Sequence, residues 1–200
     1  MSERAKRLVN DAYYSPEALA LECCKRLAHL IPTPATILEP TAGGGAFVKA
    51  ARAAWPGAMI EAEDVDPSCE APCRAAGAHV FLKARPLEEN SSTQFRLIVG
   101  NPPYQDVEEH VRKALARLRW RAHAAFLLRL SFLEPTRKRL DLPAWRWALP
   151  VAGRARFRAD RNGSDNVGSV LLVWENGHTG AGEWLAPITW NRKPQEGSNS

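Results

Sequence analysis

Three consecutive glycines, Gly43 to Gly45, separate the short apolar stretch Thr36–Glu39 from the helix-forming run AFVKAARAAW. A strand that turns through glycine straight into a helix is the first half of a βαβ unit, and few folds begin that way. The alternation continues along the chain. Residues 58–64 read as a second strand, 67–76 as a helix, 79–82 as a third strand and 95–99 as a fourth. Val107, Val111, Ala114, Leu115 and Leu118 recur at helical spacing, which predicts an amphipathic helix over 106–118, followed by a buried strand over 122–129. Ahead of the glycines, Ser15-Pro16 reads as a helix start, with the hydroxyl capping and the proline in the first helical position. These elements predict an α/β fold with a doubly wound, mostly parallel sheet and right-handed crossovers. Near the C-terminus, WRWALPVAG and GSVLLVWENG predict an antiparallel pair at the sheet edge.

A chain of 200 residues accommodates one sizeable core. Residues 1–190 are expected to form a single domain, and 191–200, rich in Gly, Asn and Ser, a disordered tail. The formal charge of +5 is unevenly spread: between Arg112 and Arg161 fourteen Lys or Arg face three acids, Glu134, Asp141 and Asp160. Such an excess is the electrostatic footprint of a phosphate-backbone binder, with a solvated arginine-rich surface as the plainer alternative. The cysteines, Cys23, Cys24, Cys69 and Cys73, fit neither a zinc ribbon nor a CxxC redox pair, so reduced thiols and no metal are expected. No apolar stretch follows the N-terminal charges, and no run approaches the roughly twenty apolar residues of a membrane span. The expectation is a cytoplasmic protein without a membrane partner, a monomer or weak dimer.

Chemistry concentrates at three strand ends. The glycine loop lets a ligand approach the backbone and offers the donors of a helix N-terminus, although it is neither a GxGxxG fingerprint nor a P-loop. Asp64, at the tip of the second strand about twenty residues on, is placed to accept from both hydroxyls of a ribose. Asp66, before Pro67, reads as a helix cap. The fourth strand ends in Asn101, Pro102, Pro103 and Tyr104. Consecutive prolines remove two backbone donors and hold the chain extended. The Asn101 side-chain oxygen and the Pro102 carbonyl can then grip both hydrogens of an exocyclic amine, pushing its nitrogen toward a reactive tetrahedral geometry. The Tyr104 ring can lie on a base taken out of its stack, a contact of about 1 to 3 kcal/mol.

EPTAGGGAF, EDVDP and LIVGNPPY resemble motifs I, II and IV of the N6-adenine DNA methyltransferases, and DAYYSPEAL resembles motif X. The order is similar to the γ-type arrangement, and the resemblance covers roughly 11–175. It implies a seven-stranded Rossmann-like sheet with a reversed last strand, S-adenosylmethionine as cofactor, and in-line methyl transfer to the adenine amine of DNA. It also implies that Tyr14, Ser15 and Pro16 lie along the methionine part of the cofactor, with Glu39, Thr41, Gly43 and Gly45 around its amino-acid end and ribose. Asp64 would take the ribose hydroxyls. Asn101, Pro102, Pro103 and Tyr104 would form the reaction site, and Phe157 would set an aromatic face against the flipped base, or simply pack its loop. Arg154, Arg156 and Arg158 are the candidate phosphate contacts beside it.

Two departures from the family stand out. Where motif III normally offers an Asp to the cofactor's adenine, this sequence has Arg85, so Glu88, Glu89 or a backbone carbonyl would have to substitute. Only about twenty-five polar residues follow the last motif, which leaves no room for a recognition domain, so a short or relaxed target site is expected. NPPY also serves RNA adenine and other amine methyltransferases, and a catalytically silent nucleic-acid-binding subunit would keep the same fold; both remain alternatives.

Overall fold

The structure, a computed structural model, describes residues 15–83, 93–103, 107–134, 142–153 and 168–190. Its helices are α1 (Glu17–Leu30), α2 (Ala46–Ala54), α3 (Glu70–Ala75) and α4 (Val107–Ala116). Its strands are β1 (Thr36–Glu39), β2 (Met59–Asp64), β3 (Val80–Lys83), β4 (Phe95–Gly100), β5 (Leu118–Arg129), β6 (Trp147–Pro150), β7 (Ser169–Glu175) and β8 (Glu183–Trp184). They form one sheet in the order β3-β2-β1-β4-β5-β7-β6-β8. The first five strands in that order are parallel, and β7 runs antiparallel to both of its neighbours. This is the expected α/β architecture, with the antiparallel strands toward one edge. Among the described residues the count is eight strands rather than seven, because the two-residue β8 adds to β6. From β1 the chain winds outward through β2 and β3, then returns to lay β4 on the other side of β1. The switch point of the sheet therefore falls between the C-terminal ends of β1 and β4, where open α/β sheets bind ligands.

Side chains alternate across this sheet into two cores. Ile37, Ile60, Leu97, Leu127 and Leu171 pack with Leu19, Leu27, Phe47 and Val48 of α1 and α2. Leu38, Ile98, Phe126, Leu128 and Trp174 pack with Val107, Val111 and Ala114 of α4. Two buried indoles are satisfied: Trp55 Nε1 donates to the Ile31 carbonyl at 2.9 Å and Trp174 Nε1 to the Pro143 carbonyl at 3.1 Å.

Three local expectations are corrected. Pro16 is the residue flanking α1 rather than its first helical position, and no side chain caps that helix. The 67–76 helix is split into a 3-10 turn, Pro67–Cys69, and α3; Asp66 does cap the turn, accepting from Ser68 N at 2.9 Å. Finally, β5 starts at Leu118, four residues before the expected 122, because a bulge lies inside it. Phe95 pairs with Leu118 and Leu97 with His123, so three extra residues bow out and leave Arg119, Trp120 and Arg121 exposed. Arg121 takes φ 57°, and the Trp120 ring covers Gly177, where a Cβ would overlap it.

Beneath the α4 face, Arg117 Nη1 meets Glu63 Oε1 at 2.7 Å, both side chains almost fully buried, and the guanidinium lies 5.1 Å from the Phe95 ring centre. Removing one partner of a buried pair strands the other's charge. Arg117→Leu is expected to destabilise the fold by about 3 to 5 kcal/mol, read as a lower urea midpoint, with Glu63→Leu in the same chain recovering much of the loss.

Candidate active site at the switch point

The glycine loop is shaped from below by β2. Ala42 N donates to the Glu63 carbonyl at 3.0 Å, and Gly43 N donates to Asp64 Oδ2 at 2.9 Å. The other Asp64 oxygen accepts from Asp66 N at 2.9 Å. Asp64 thus organises the loop as well as facing it. Gly43 (φ 48°) and Gly45 (φ 81°) both occupy the left-handed region, which a side chain would make costly. Gly45 caps α2, and its missing Cβ faces protein: one placed there would lie 3.1 Å from Ala76 Cβ and 3.4 Å from the Pro72 carbonyl. The Gly45 requirement is thereby explained by helix packing against α3. All four cysteines are buried thiols, and two line this loop: Cys73 Sγ lies 3.6 Å from the Gly43 carbonyl, and Asp64 accepts from Cys69. Burial first, and then neighbouring negative charge, raises the Cys73 thiol to about 12 and the Cys69 thiol to about 11, so neither is a ready nucleophile.

Across the switch point, β1 ends on Glu39 and β4 on Gly100. The Glu39 side chain occupies the space that a Gly100 side chain would fill; a Cβ built there overlaps the carboxylate. Thr41 N and Thr41 Oγ1 donate to Glu39 Oε1 at 3.1 and 3.3 Å. Burial raises the Glu39 carboxyl to about 8; the two Thr41 hydrogen bonds oppose the shift, and the Asp64 charge adds to it. Thr41 Oγ1 also lies 3.4 Å from the Asn101 main-chain oxygen, so one hydroxyl bridges the β1 loop and the β4 loop.

Asn101 follows β4 directly. Its Nδ2 donates to Ser15 Oγ at 3.0 Å, and Pro102 beside it is buried. The structure therefore brings Ser15, Pro16, Glu39, Thr41, Gly43, Asp64, Asn101, Pro102 and Pro103 to one end of the sheet. Tyr14, Arg85, Glu88, Glu89, Tyr104, Arg154, Arg156, Phe157 and Arg158 lie outside the described residues. Gly100 is the functional residue that sequence reasoning missed. Its signal was a glycine at the last strand position before Asn101, where a close approach is the usual reason for one.

The strand order and crevice define the class: this is the fold of class I S-adenosylmethionine-dependent methyltransferases. A putative enzyme of that description from Listeria monocytogenes superposes with TM-score 0.66 at 9% identity, covering 94% of this chain and 70% of that one. The type IIG restriction endonuclease BpuSI superposes with TM-score 0.69 at 12% identity, covering 92% of this chain and 28% of that one. In sequence, the chain is 31% identical over 101 residues to Type II methyltransferase M.CvrRI of Paramecium bursaria Chlorella virus XZ-6E. That match covers 50% of this chain and 26% of M.CvrRI, so the chain spans about a quarter of its relative's length. No protein-family model matches. Among the described residues no helix is long and apolar enough to cross a membrane.

Two outcomes follow from the Glu39–Gly100 contact. Gly100→Ala is expected to force β1 and β4 apart and lower the melting temperature by several degrees, since one of the two atoms must move. The second concerns pH. The folded state holds the Glu39 proton up to about pH 8, whereas the unfolded carboxyl releases it near 4.5. The folded state then binds more protons between these values, and its stability falls as pH rises through that window. Glu39→Gln has no such proton to lose, so its stability relative to the wild type should improve from pH 5 to pH 8.5 in denaturant titrations.

Proposed function

We propose that this chain transfers a methyl group from S-adenosylmethionine to the N6 amine of adenine in DNA, at a short or relaxed target site. One observation carries the reading: the switch point sets the glycine loop of β1 against Asn101-Pro102 at the end of β4, with Thr41 Oγ1 touching both sides. A nucleoside cofactor and a target amine would share one crevice there. The likeness to M.CvrRI, named a type II methyltransferase, supports the reaction class. The likeness to a restriction enzyme and the basic residues between Arg112 and Arg161 support DNA as substrate.

The residues present fit the cofactor. Asp64 accepts two backbone donors and the Cys69 thiol, and a carboxylate offers about four acceptor positions, which leaves capacity for a ribose hydroxyl. Gly43 exposes backbone in a left-handed turn beside it. Tyr14, Ser15 and Pro16 would border the methionine part, and Glu39, Thr41, Gly43 and Gly45 the amino-acid end and ribose. When bound, the cofactor supplies an electrophilic methyl group. Asn101 Oδ1 and the Pro102 carbonyl accept the two hydrogens of the target amine, drawing its lone pair out of the ring's delocalised system. Pro102 and Pro103 keep those acceptors stiff. Tyr104 and Phe157 stack on the flipped base, and Arg154, Arg156 and Arg158 take phosphates, which hold any sequence alike.

Incubating plasmid with the purified chain and S-adenosylmethionine, then digesting to nucleosides, should yield N6-methyldeoxyadenosine. Unmodified adenine, or methyl on cytosine, would refute the assignment. Asn101→Ala is expected to lower turnover by about a hundredfold or more, as for a preorganised group aimed at the reacting centre. Its calorimetric affinity for S-adenosylhomocysteine should stay within about threefold of the wild type. Asp64→Ala should weaken that affinity by about 1.5 to 3 kcal/mol, as for a charge-assisted hydrogen bond.

A further inference from the structure

We infer that Ser15 is a positioning residue for the catalytic amide: its hydroxyl holds the nitrogen end of Asn101 and so directs the oxygen end at the target amine. The inference rests on the methyl-transfer reading above and adds to it a residue whose place in sequence suggested a different task. A serine before a proline and a helix is a cap by local pattern. Here it caps nothing. Pro16 sits at the helix boundary, its carbonyl accepts from Leu19 N and Ala20 N at 3.0 and 3.1 Å, and no side chain closes the first turn of α1. The hydroxyl instead meets Asn101 Nδ2 at 3.0 Å, 86 residues away.

The torsion on which the contact acts explains why it matters. Its main chain is held, because a residue before proline is confined to extended conformations and Thr41 Oγ1 lies on its carbonyl. Its terminal torsion is not held in this way, since the χ2 of asparagine is broad and roughly two-fold. Rotation about that torsion swings both ends of the amide off line and leaves no acceptor aimed at the target amine. A hydrogen bond from Nδ2 to the Ser15 hydroxyl opposes that rotation and fixes the plane of the amide. The segment ahead of α1 thereby reaches the reaction through Asn101, while its neighbours border the cofactor.

The test compares the full-length wild type with Ser15→Ala, Ser15→Thr and Ser15→Cys. Hydrogen exchange of the Asn101 side-chain NH2 is read by NMR, its resonances being those missing from Asn101→Ala. In Ser15→Ala this exchange should speed up by about tenfold or more, and kcat should fall by about tenfold, within what a small misplacement of a reacting group costs. KM for DNA should move by less than about threefold, and affinity for S-adenosylhomocysteine, which Ser15 also borders, should fall by less than kcat does. Ser15→Thr should restore both readouts, and Ser15→Cys, a weaker acceptor of similar size, should fall between, which keeps the comparison decisive if the alanine variant folds poorly. Unchanged exchange and kcat in the Ala and Cys variants would overturn the inference. So would a loss of S-adenosylhomocysteine affinity as large as the loss in kcat, which would make Ser15 a contact of the cofactor alone. Absence of transfer by the wild type refutes the methyltransferase reading instead, a failure distinguishable because the exchange measurement needs no turnover.

Discussion

A carboxyl group standing in the place of a missing side chain organises this molecule. Glu39 reaches across from β1 into the space left by Gly100 on β4, where the two parallel strands end at the switch point. Burying a carboxyl is unfavourable unless donors meet it. Thr41 supplies two, and supplying them folds the loop back over the strand end. The same hydroxyl then touches Asn101, so the group that compensates Glu39 also locates the residue assigned to the reaction. On the other flank β2 fixes the loop through the Glu63 carbonyl and Asp64. The crevice is therefore bracketed by backbone hydrogen bonds on one side and by a buried acid on the other.

Electrostatics of a different kind hold the opposite face. Glu63 sends its carbonyl toward the glycine loop and its carboxylate to Arg117 beneath α4. One residue of β2 thus serves both layers, the main chain shaping the site and the side chain anchoring the sheet under it. This arrangement explains why acids alternate with apolar residues in a strand whose other face, Ile60 and Ala62, is fully buried.

The features legible in the sequence were those with short-range causes. The strand–glycine–helix turn, the acid closing β2, Asp66 as a cap and the proline-stiffened end of β4 each follow from residues within a few positions of one another. Where two distant segments decide the outcome, local reading fell short. Ser15 carries every local mark of a helix cap, yet a partner 86 residues away takes its hydroxyl. Gly100 reads as an ordinary strand end until Glu39 is seen beside it. The start of β5 was hidden because its bulge breaks the two-residue alternation at Arg119, Trp120 and Arg121. The strand β8 has too few residues for a pattern; only its pairing with β6 defines it.

The position of β7 separates the order of synthesis from the order of assembly. β6 precedes it in the chain but reaches the rest of the sheet only through it. A nascent chain that has emerged as far as residue 168 therefore has β5 with one flank bare, its backbone donors and acceptors open over the seven positions that Ser169–Glu175 will cover. Those positions carry Phe126, Leu127 and Leu128, an apolar strand edge of the kind that pairs with other chains. Closure then comes in one late step, when a single strand arrives and bonds on both sides at once. Loop closure across some forty residues makes that step a slow one by the standards of local contacts. The interval between making β5 and making β7 is when that edge stands open to other chains.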